Sequence, residues 1–153
     1  MLSPGLLTHW TREVMEAARA RDEDLVVNTV GRIVDRGDVL DLLAVCRVVA
    51  DTASRALLVL YRAPEAGQGE AWVLDDLGDA ERRPEPLFAA RLVSAYANRD
   101  SDLVTALVMA VAGASRTERA ESLRSLVTYA AGLYARAARQ TEHVTEGLEN
   151  NEH

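Results

Sequence analysis

A six-residue pattern occurs twice in this chain and limits its architecture more than any other feature. Residues 21–26 read Arg-Asp-Glu-Asp-Leu-Val, and residues 99–104 read Arg-Asp-Ser-Asp-Leu-Val. The offset of 78 residues between the two copies is about half of the 153-residue chain. A repeat at half the chain length predicts two related halves, each built from the same succession of elements.

The elements of the first half are predicted to be three helices. Apolar residues recur at helical spacing over 4–20, then between Asp22 and Gly37, and then from Asp38 to about Tyr61. The two aspartates are typical N-caps, and Gly37 is typical of a helix C-terminus. The third helix carries a seam for close helix pairing, made of Val39, Leu42, Cys46, Val49, Ala53, Ala56 and Leu60. A second stripe of Leu43, Ala50 and Leu57 predicts that this helix is buried on two sides.

The second half, about 86–141, repeats this order. Pro86 is predicted to open the fourth helix, 101–114 to form the fifth, and Thr117 to cap a sixth helix that ends near Arg139. At the offset of 78, the apolar Trp10 and Val14 correspond to Phe88 and Leu92, and the offset shifts to 81 in the sixth helix. We therefore predict an all-α fold, a six-helix bundle made of two similar three-helix halves by internal duplication.

An irregular linker and a polar tail complete the predicted organisation. Residues 63–85 are rich in proline, glycine and acids, and they contain one apolar island, 71–74, with Trp72. Trp72 either packs between the halves or anchors a partner, since tryptophan is enriched in interface hot spots. Residues 1–141 are predicted to form one domain, whose first half covers about 4–62. Residues 142–153 are predicted to form a disordered tail.

Composition narrows the range of functions. The net charge is −7, which disfavours broad binding to nucleic acid, and the single cysteine excludes an intramolecular disulfide. No stretch approaches the roughly 18 apolar residues of a membrane span. These features predict a cytoplasmic protein that does not bind membranes.

No residue pattern indicates catalysis, a cofactor or a metal site. Asp22 and Asp24, like Asp100 and Asp102, could hold a hard cation, but acids at a helix start are favoured there as caps. The three histidines are scattered, and Cys46 lies on the apolar seam, where a cysteine packs as a small apolar residue. We predict no catalytic, cofactor-binding or metal-binding residues, and hence no enzyme.

The function that fits this pattern is a non-enzymatic protein–protein interaction module that associates with itself or another protein. An alternative is a small regulatory protein that contacts nucleic acid through Arg116, Arg119 and Arg124, around the start of the sixth helix. The same arginines could instead pair with Glu118 and Glu121 on a solvated face. The candidate partner-binding residues are Trp72, Arg116, Arg119 and Arg124. A third hypothesis, a ligand pocket between the halves, has few polar groups to draw on beyond Tyr96 and Tyr134.

Overall fold

The computed structural model describes residues 1–61 and 84–149, and all regular elements in these ranges are helices. They are α1 (Pro4–Arg19), α2 (Glu23–Arg36), α3 (Val39–Leu60), α4 (Pro84–Ala97), α5 (Ser101–Ala112) and α6 (Arg116–Glu149). The predicted all-α class is therefore confirmed. Trp72 and most of the predicted linker lie outside the described residues. Within the described ranges, no helix is long and apolar enough to cross a lipid bilayer.

The repeated motif forms the corner between α1 and α2 and again the corner between α4 and α5. Arg21 and Arg99 adopt the left-handed backbone conformation, with φ angles of 58° and 59°. After α1, the N–H of Arg21 donates to the carbonyl of Ala18 at 3.2 Å, and that of Asp22 donates to Ala17 at 2.9 Å. The corner after α4 has the same two bonds, from Arg99 to Tyr96 and from Asp100 to Ala95. This pair of bonds is a Schellman motif, which satisfies carbonyls at the helix end.

The aspartate of each corner also begins the next helix. The Asp22 carboxylate accepts the N–H of Leu25 at 3.2 Å, and the Asp100 carboxylate accepts that of Leu103 at 3.1 Å. Both aspartates are N-caps, as predicted. One short motif thus ends one helix and starts the next, so it fixes a sharp turn at the same place in each half.

The long helices α3 and α6 lie at the centre of the bundle. Each of them packs against every other helix, whereas α1 and α2 make no contact with α4 or α5 in the described ranges. The second helix of each half packs on the third helix of the other, α2 on α6 and α5 on α3. The largest fully enclosed side chains of the core are Ile33, Leu57, Leu92, Leu123 and Leu126.

The predicted seam of α3 is buried through its middle and opens at its ends. The side chains from Leu42 to Ala56 in that seam are buried, but Val39 is 36% exposed and Leu60 is half-buried. Terminal turns lie at the ends of the bundle, where fewer helices surround them. Six buried residues of α6 lie at the offset of 81 from buried residues of α3, namely Ser122, Leu123, Leu126, Val127, Ala130 and Ala131. The correspondence ends one turn later, since Tyr134 is 38% exposed where Ala53 is fully buried.

Both predicted ends of α6 are wrong. The helix starts at Arg116 because Ser115, not Thr117, lies before its first turn. The Ser115 hydroxyl accepts the N–H of Glu118 at 3.2 Å, and the Glu118 carboxylate accepts the N–H of Ser115 at 2.9 Å, which is a capping box. The helix runs past Arg139 to Glu149, through most of the predicted tail, because no proline or glycine occurs between 133 and 146.

The other helix boundaries differ by less. The fourth helix begins at Pro84 rather than Pro86, and proline is compatible with the whole first turn. Gly37 ends α2 as predicted, but its φ of −85° is not left-handed. Glycine is needed there because a Cβ atom would lie 2.6 Å from the carbonyl oxygen of Ile33.

Candidate functional site

The core holds no reactive thiol. Cys46 is 1% exposed, and burial raises its thiol pKa to about 12. A thiol with that pKa stays protonated at physiological pH and is a poor nucleophile. The prediction that Cys46 packs in the core is confirmed.

The two tyrosines that could have served a pocket between the halves are engaged elsewhere. The Tyr96 hydroxyl donates to the Asp51 carboxylate at 3.0 Å, and burial, then that bond, raises the Tyr96 pKa. Tyr134 is partly exposed, and the guanidinium of Arg19 lies 4.1 Å from its ring centroid. Each contact joins helices from different halves and has a structural role.

The paired aspartates do not assemble into a metal site. Asp22 and Asp100 are each committed to a helix N-terminus, as described above. Over residues 1–61 and 84–149, no group of three or more His, Cys, Asp or Glu side chains could hold a metal ion. The interpretation of these aspartates as caps is therefore confirmed for Asp22 and Asp100.

The three candidate arginines at the start of α6 each have a partner within the chain. Arg116 donates from Nε and Nη2 to the two carboxylate oxygens of Asp35, at 2.6 and 2.8 Å. Arg119 donates to the carbonyl of Ala114 at 2.8 Å, and Arg124 lies 3.5 Å from the Glu121 carboxylate. A phosphate would have to compete with these partners. The nucleic-acid hypothesis stays a prediction, and this geometry gives it no additional support.

The outward side of α5 is uncharged from Leu103 to its C-terminal end, after the exposed Asp102 in its first turn. We call this surface, which consists of Leu103, Ala106, Met109, Ala110 and Gly113, the α5 face; all five residues are exposed. Met109 is 53% and Leu103 45% exposed. No charged residue occurs anywhere between 103 and 114. An apolar run of this kind is expected to be buried, so its exposure on α5 is the first unusual surface of the molecule.

Three positions of α2 are polar where α5 has small, uncharged residues. At the offset of 78, Ala106, Ala110 and Gly113 correspond to Asn28, Arg32 and Asp35 on α2, all of which are exposed. The two helices follow identical corners and pack on equivalent partners, so their outward surfaces can be compared directly.

No protein-family model, curated protein or solved structure matches this chain.

A second unusual surface lies between the end of α3 and the C-terminal part of α6. It is an open groove of about 530 Å³, lined by Leu60, Arg136, Arg139, Gln140 and His143. We call it the α3–α6 groove. Beside it, Nη2 of Arg136 donates to the Tyr61 hydroxyl at 3.0 Å. Sequence reasoning missed this groove because it ended the helix at Arg139 and assigned His143 to a tail.

Proposed function

We propose that this chain is a non-enzymatic helical interaction module that associates with a second copy of itself through the α5 face. The observation that carries the proposal is the uncharged, exposed surface from Leu103 to Gly113. Removing apolar surface from water is the main favourable contribution to most protein–protein associations. The one charge of α5 on this side is that of Asp102, which lies in the first turn, at the edge of the face, where a carboxylate can stay hydrated when two such faces meet.

The side chains of the α5 face suit helix packing. Ala106, Ala110 and Gly113 are small, so a second helix could approach the α5 backbone closely, within the ~8–10 Å typical of packed helices. Leu103 and Met109 flank them and would supply most of the apolar contact area. Such a surface is self-complementary, as a two-fold dimer requires.

An interface of standard size would need a second helix in addition to α5. A 12-residue helix such as α5 is about 18 Å long and roughly 10 Å wide, so one face of it covers on the order of 200 Å². A standard interface buries roughly 800 Å² per partner. The adjacent helix α3 also exposes large apolar side chains, namely Leu40, Val48, Leu58 and Val59. We therefore expect the interface to extend from α5 onto α3.

Sedimentation equilibrium over a range of protein concentrations tests the proposal. We expect the native chain to form a dimer and the variant Ala106→Asn/Ala110→Arg to be monomeric. These substitutions give α5 the residues that α2 carries at the corresponding positions, Asn28 and Arg32, so the helix should still fold. A matched control is Val27→Arg, which places a charge on an isolated exposed valine of α2 and should leave the dimer intact.

Two outcomes would contradict self-association through this face. A native chain that stays monomeric up to the highest soluble concentration would exclude the second copy as the partner. A double variant that dimerises as strongly as the native chain would place the interface elsewhere. Circular dichroism of each variant shows whether the helices remain folded.

We also infer that the two halves are copies of one three-helix unit. The inference is supported by the equivalent corners at Arg21 and Arg99, by the matching burial of α3 and α6, and by the reciprocal packing of α2 on α6 and α5 on α3. A sequence profile built from relatives of 4–61 should align with the second half at offsets of 78 and 81. An alignment at unrelated offsets would reject the duplication.

A further inference from the structure

The α3–α6 groove presents four polar side chains of α6 on one side. Arg136, Arg139, Gln140 and His143 are spaced by three, four and seven residues from the first, which places them on the same face of a helix. Leu60, from the last turn of α3, adds an apolar side chain to the lining. The groove therefore combines hydrogen-bond donors with one apolar contact.

Within residues 1–61 and 84–149, Arg136 differs from three other arginines in the kind of group that it contacts. Arg116, Arg55 and Arg124 each lie against a carboxylate. Arg136 instead donates to a neutral group, the Tyr61 hydroxyl, which holds the guanidinium in place and leaves its charge uncompensated by that bond. An arginine held in this way is prepared to bind an oxyanion, because a guanidinium matches a carboxylate in two-point geometry.

We propose that the α3–α6 groove binds a short acidic peptide segment of a partner protein. The inference deepens the proposed function, since it gives the interaction module a second surface and a partner of defined chemistry. Two or more carboxylates of the peptide bind Arg136 and Arg139, and an apolar side chain between them packs on Leu60. The Gln140 amide orients the peptide through hydrogen bonds.

The shape of the groove favours a peptide over a small molecule. Small-ligand sites bury most of the ligand, roughly 70–90% of its surface. Here Arg136, Arg139, Gln140 and His143 are all exposed. A peptide can spread its contacts along the ~10 Å of α6 between Arg136 and His143, so it does not need an enclosed pocket.

The charge of the chain favours a peptide over nucleic acid. A protein of net charge −7 repels a long run of phosphates, and stable binding to such a run needs many basic contacts. A peptide with a few carboxylates needs only the two guanidiniums of the groove. At physiological salt, charges more than about 8 Å away are largely screened, so the local arginines dominate.

Fluorescence anisotropy of a labelled peptide, Asp-Asp-Leu-Asp-Asp, tests this inference on the full chain at low and high salt. We expect binding at low salt that weakens as salt is added, and no binding of the matched peptide Asn-Asn-Leu-Asn-Asn. Arg139→Gln should weaken binding by about tenfold, the effect of losing one charge-assisted contact. Arg12→Gln removes an exposed arginine of α1 that does not line the groove and should change nothing.

Tyr61→Phe is the second variant. It tests whether binding needs the Arg136 guanidinium in its fixed position or only the positive charge of the groove. It removes no charge but frees the Arg136 guanidinium, so we expect weaker binding with an unchanged salt dependence. The Ala106→Asn/Ala110→Arg variant should bind the peptide normally. Dimerisation and peptide binding are therefore measured independently. If the native chain binds the peptide but stays monomeric, only the proposed self-association fails; if it dimerises but does not bind the peptide, only the proposed groove site fails.

Several results would overturn the inference. Absence of peptide binding at low salt, or equal losses in Arg139→Gln and Arg12→Gln, would reject the groove as a peptide site. Tighter binding of a single-stranded oligonucleotide that also depends on Arg139 would make nucleic acid the partner. A third result concerns the acidic residues between 65 and 81 of the chain itself. If the peptide binds only after these acids are changed to amides, the occupant of the groove is this segment and not a partner protein.

Discussion

The guanidinium of Arg116 donates to both carboxylate oxygens of Asp35, at 2.6 and 2.8 Å. The pair joins the first residue of α6 to the last turn of α2 and so connects the two halves of the chain. Two parallel bonds fix direction as well as distance, which makes this contact more specific than a single ion pair. The hydrogen bond from Arg116 lowers the pKa of Asp35, and the same pairing raises the pKa of Arg116.

The Arg116–Asp35 pair is expected to make stability depend on acid pH. Because the pKa of Asp35 is lower in the folded chain than its ordinary 3.8, the contribution is fully present above 3.8 and is lost as pH falls through the folded value. Asp35→Asn should slightly lower the free energy of unfolding at pH 7, and this difference should vanish in acid. Urea unfolding at several pH values measures it. A difference that persists unchanged to the lowest pH would rule out this account.

The two left-handed arginines predict an unusual pair of stabilising substitutions. A side chain in the left-handed region costs about 1–2 kcal/mol, which glycine avoids at the expense of greater freedom in the unfolded chain. We expect Arg21→Gly and Arg99→Gly each to stabilise the fold by up to about 1 kcal/mol, and both together additively. Urea denaturation checks this. Arg12→Gly, at an exposed position in the middle of α1, is the control and should destabilise by about 1 kcal/mol.

Chemical labelling of the Cys46 thiol should measure unfolding of the chain. Because its thiol is enclosed and its pKa is raised to about 12, thiol reagents at pH 8 should not modify the native chain. Stoichiometric labelling should occur in denaturant, and its rate in native buffer should follow the unfolding equilibrium. Since this is the only cysteine of the chain, absorbance of the released thiolate from a disulfide reagent measures it directly. Rapid labelling without denaturant would mean that the core opens locally at α3.

Asp41 should be the most costly of the capping aspartates to replace. Its side chain is 3% exposed and accepts two backbone N–H groups, from Leu2 at 2.8 Å and Asp38 at 3.0 Å. Asp41→Ala leaves both donors unsatisfied and should cost about 2–3 kcal/mol. Asp22→Ala removes one exposed cap and should cost about 1 kcal/mol. Thermal and urea unfolding measure the loss of stability in both variants. Equal losses would show that the burial of Asp41 does not strengthen its contribution to stability.

Local signals in the sequence predicted most of the helices. Asp22 and Asp38 cap the helices that follow them, and α1, α2 and α3 end within one or two residues of the predicted positions. Both the cap bonds and the apolar spacing involve residues at most a few positions apart, so they can be read without the fold. The start of α6 also had a local signal, the capping box of Ser115 and Glu118, and our choice of Thr117 overlooked it.

The candidate surfaces could not be predicted in the same way. An apolar residue such as Met109 can lie in a core or on an exposed face, and the spacing of α5 alone does not distinguish the two. The α3–α6 groove needs Leu60 beside Arg139, which are 79 positions apart. Such neighbours are created only when the helices pack.

The sequence by itself therefore determined the helices and the corners between them, since caps, turns and apolar spacing act within a few residues. The tertiary structure alone decided that Asp35 meets Arg116, that α5 exposes an apolar face where α2 is polar, and that Arg136 lies beside Tyr61. The physical reason is that burial and ion pairing depend on distances in space, and those distances are set by how the two halves pack around α3 and α6.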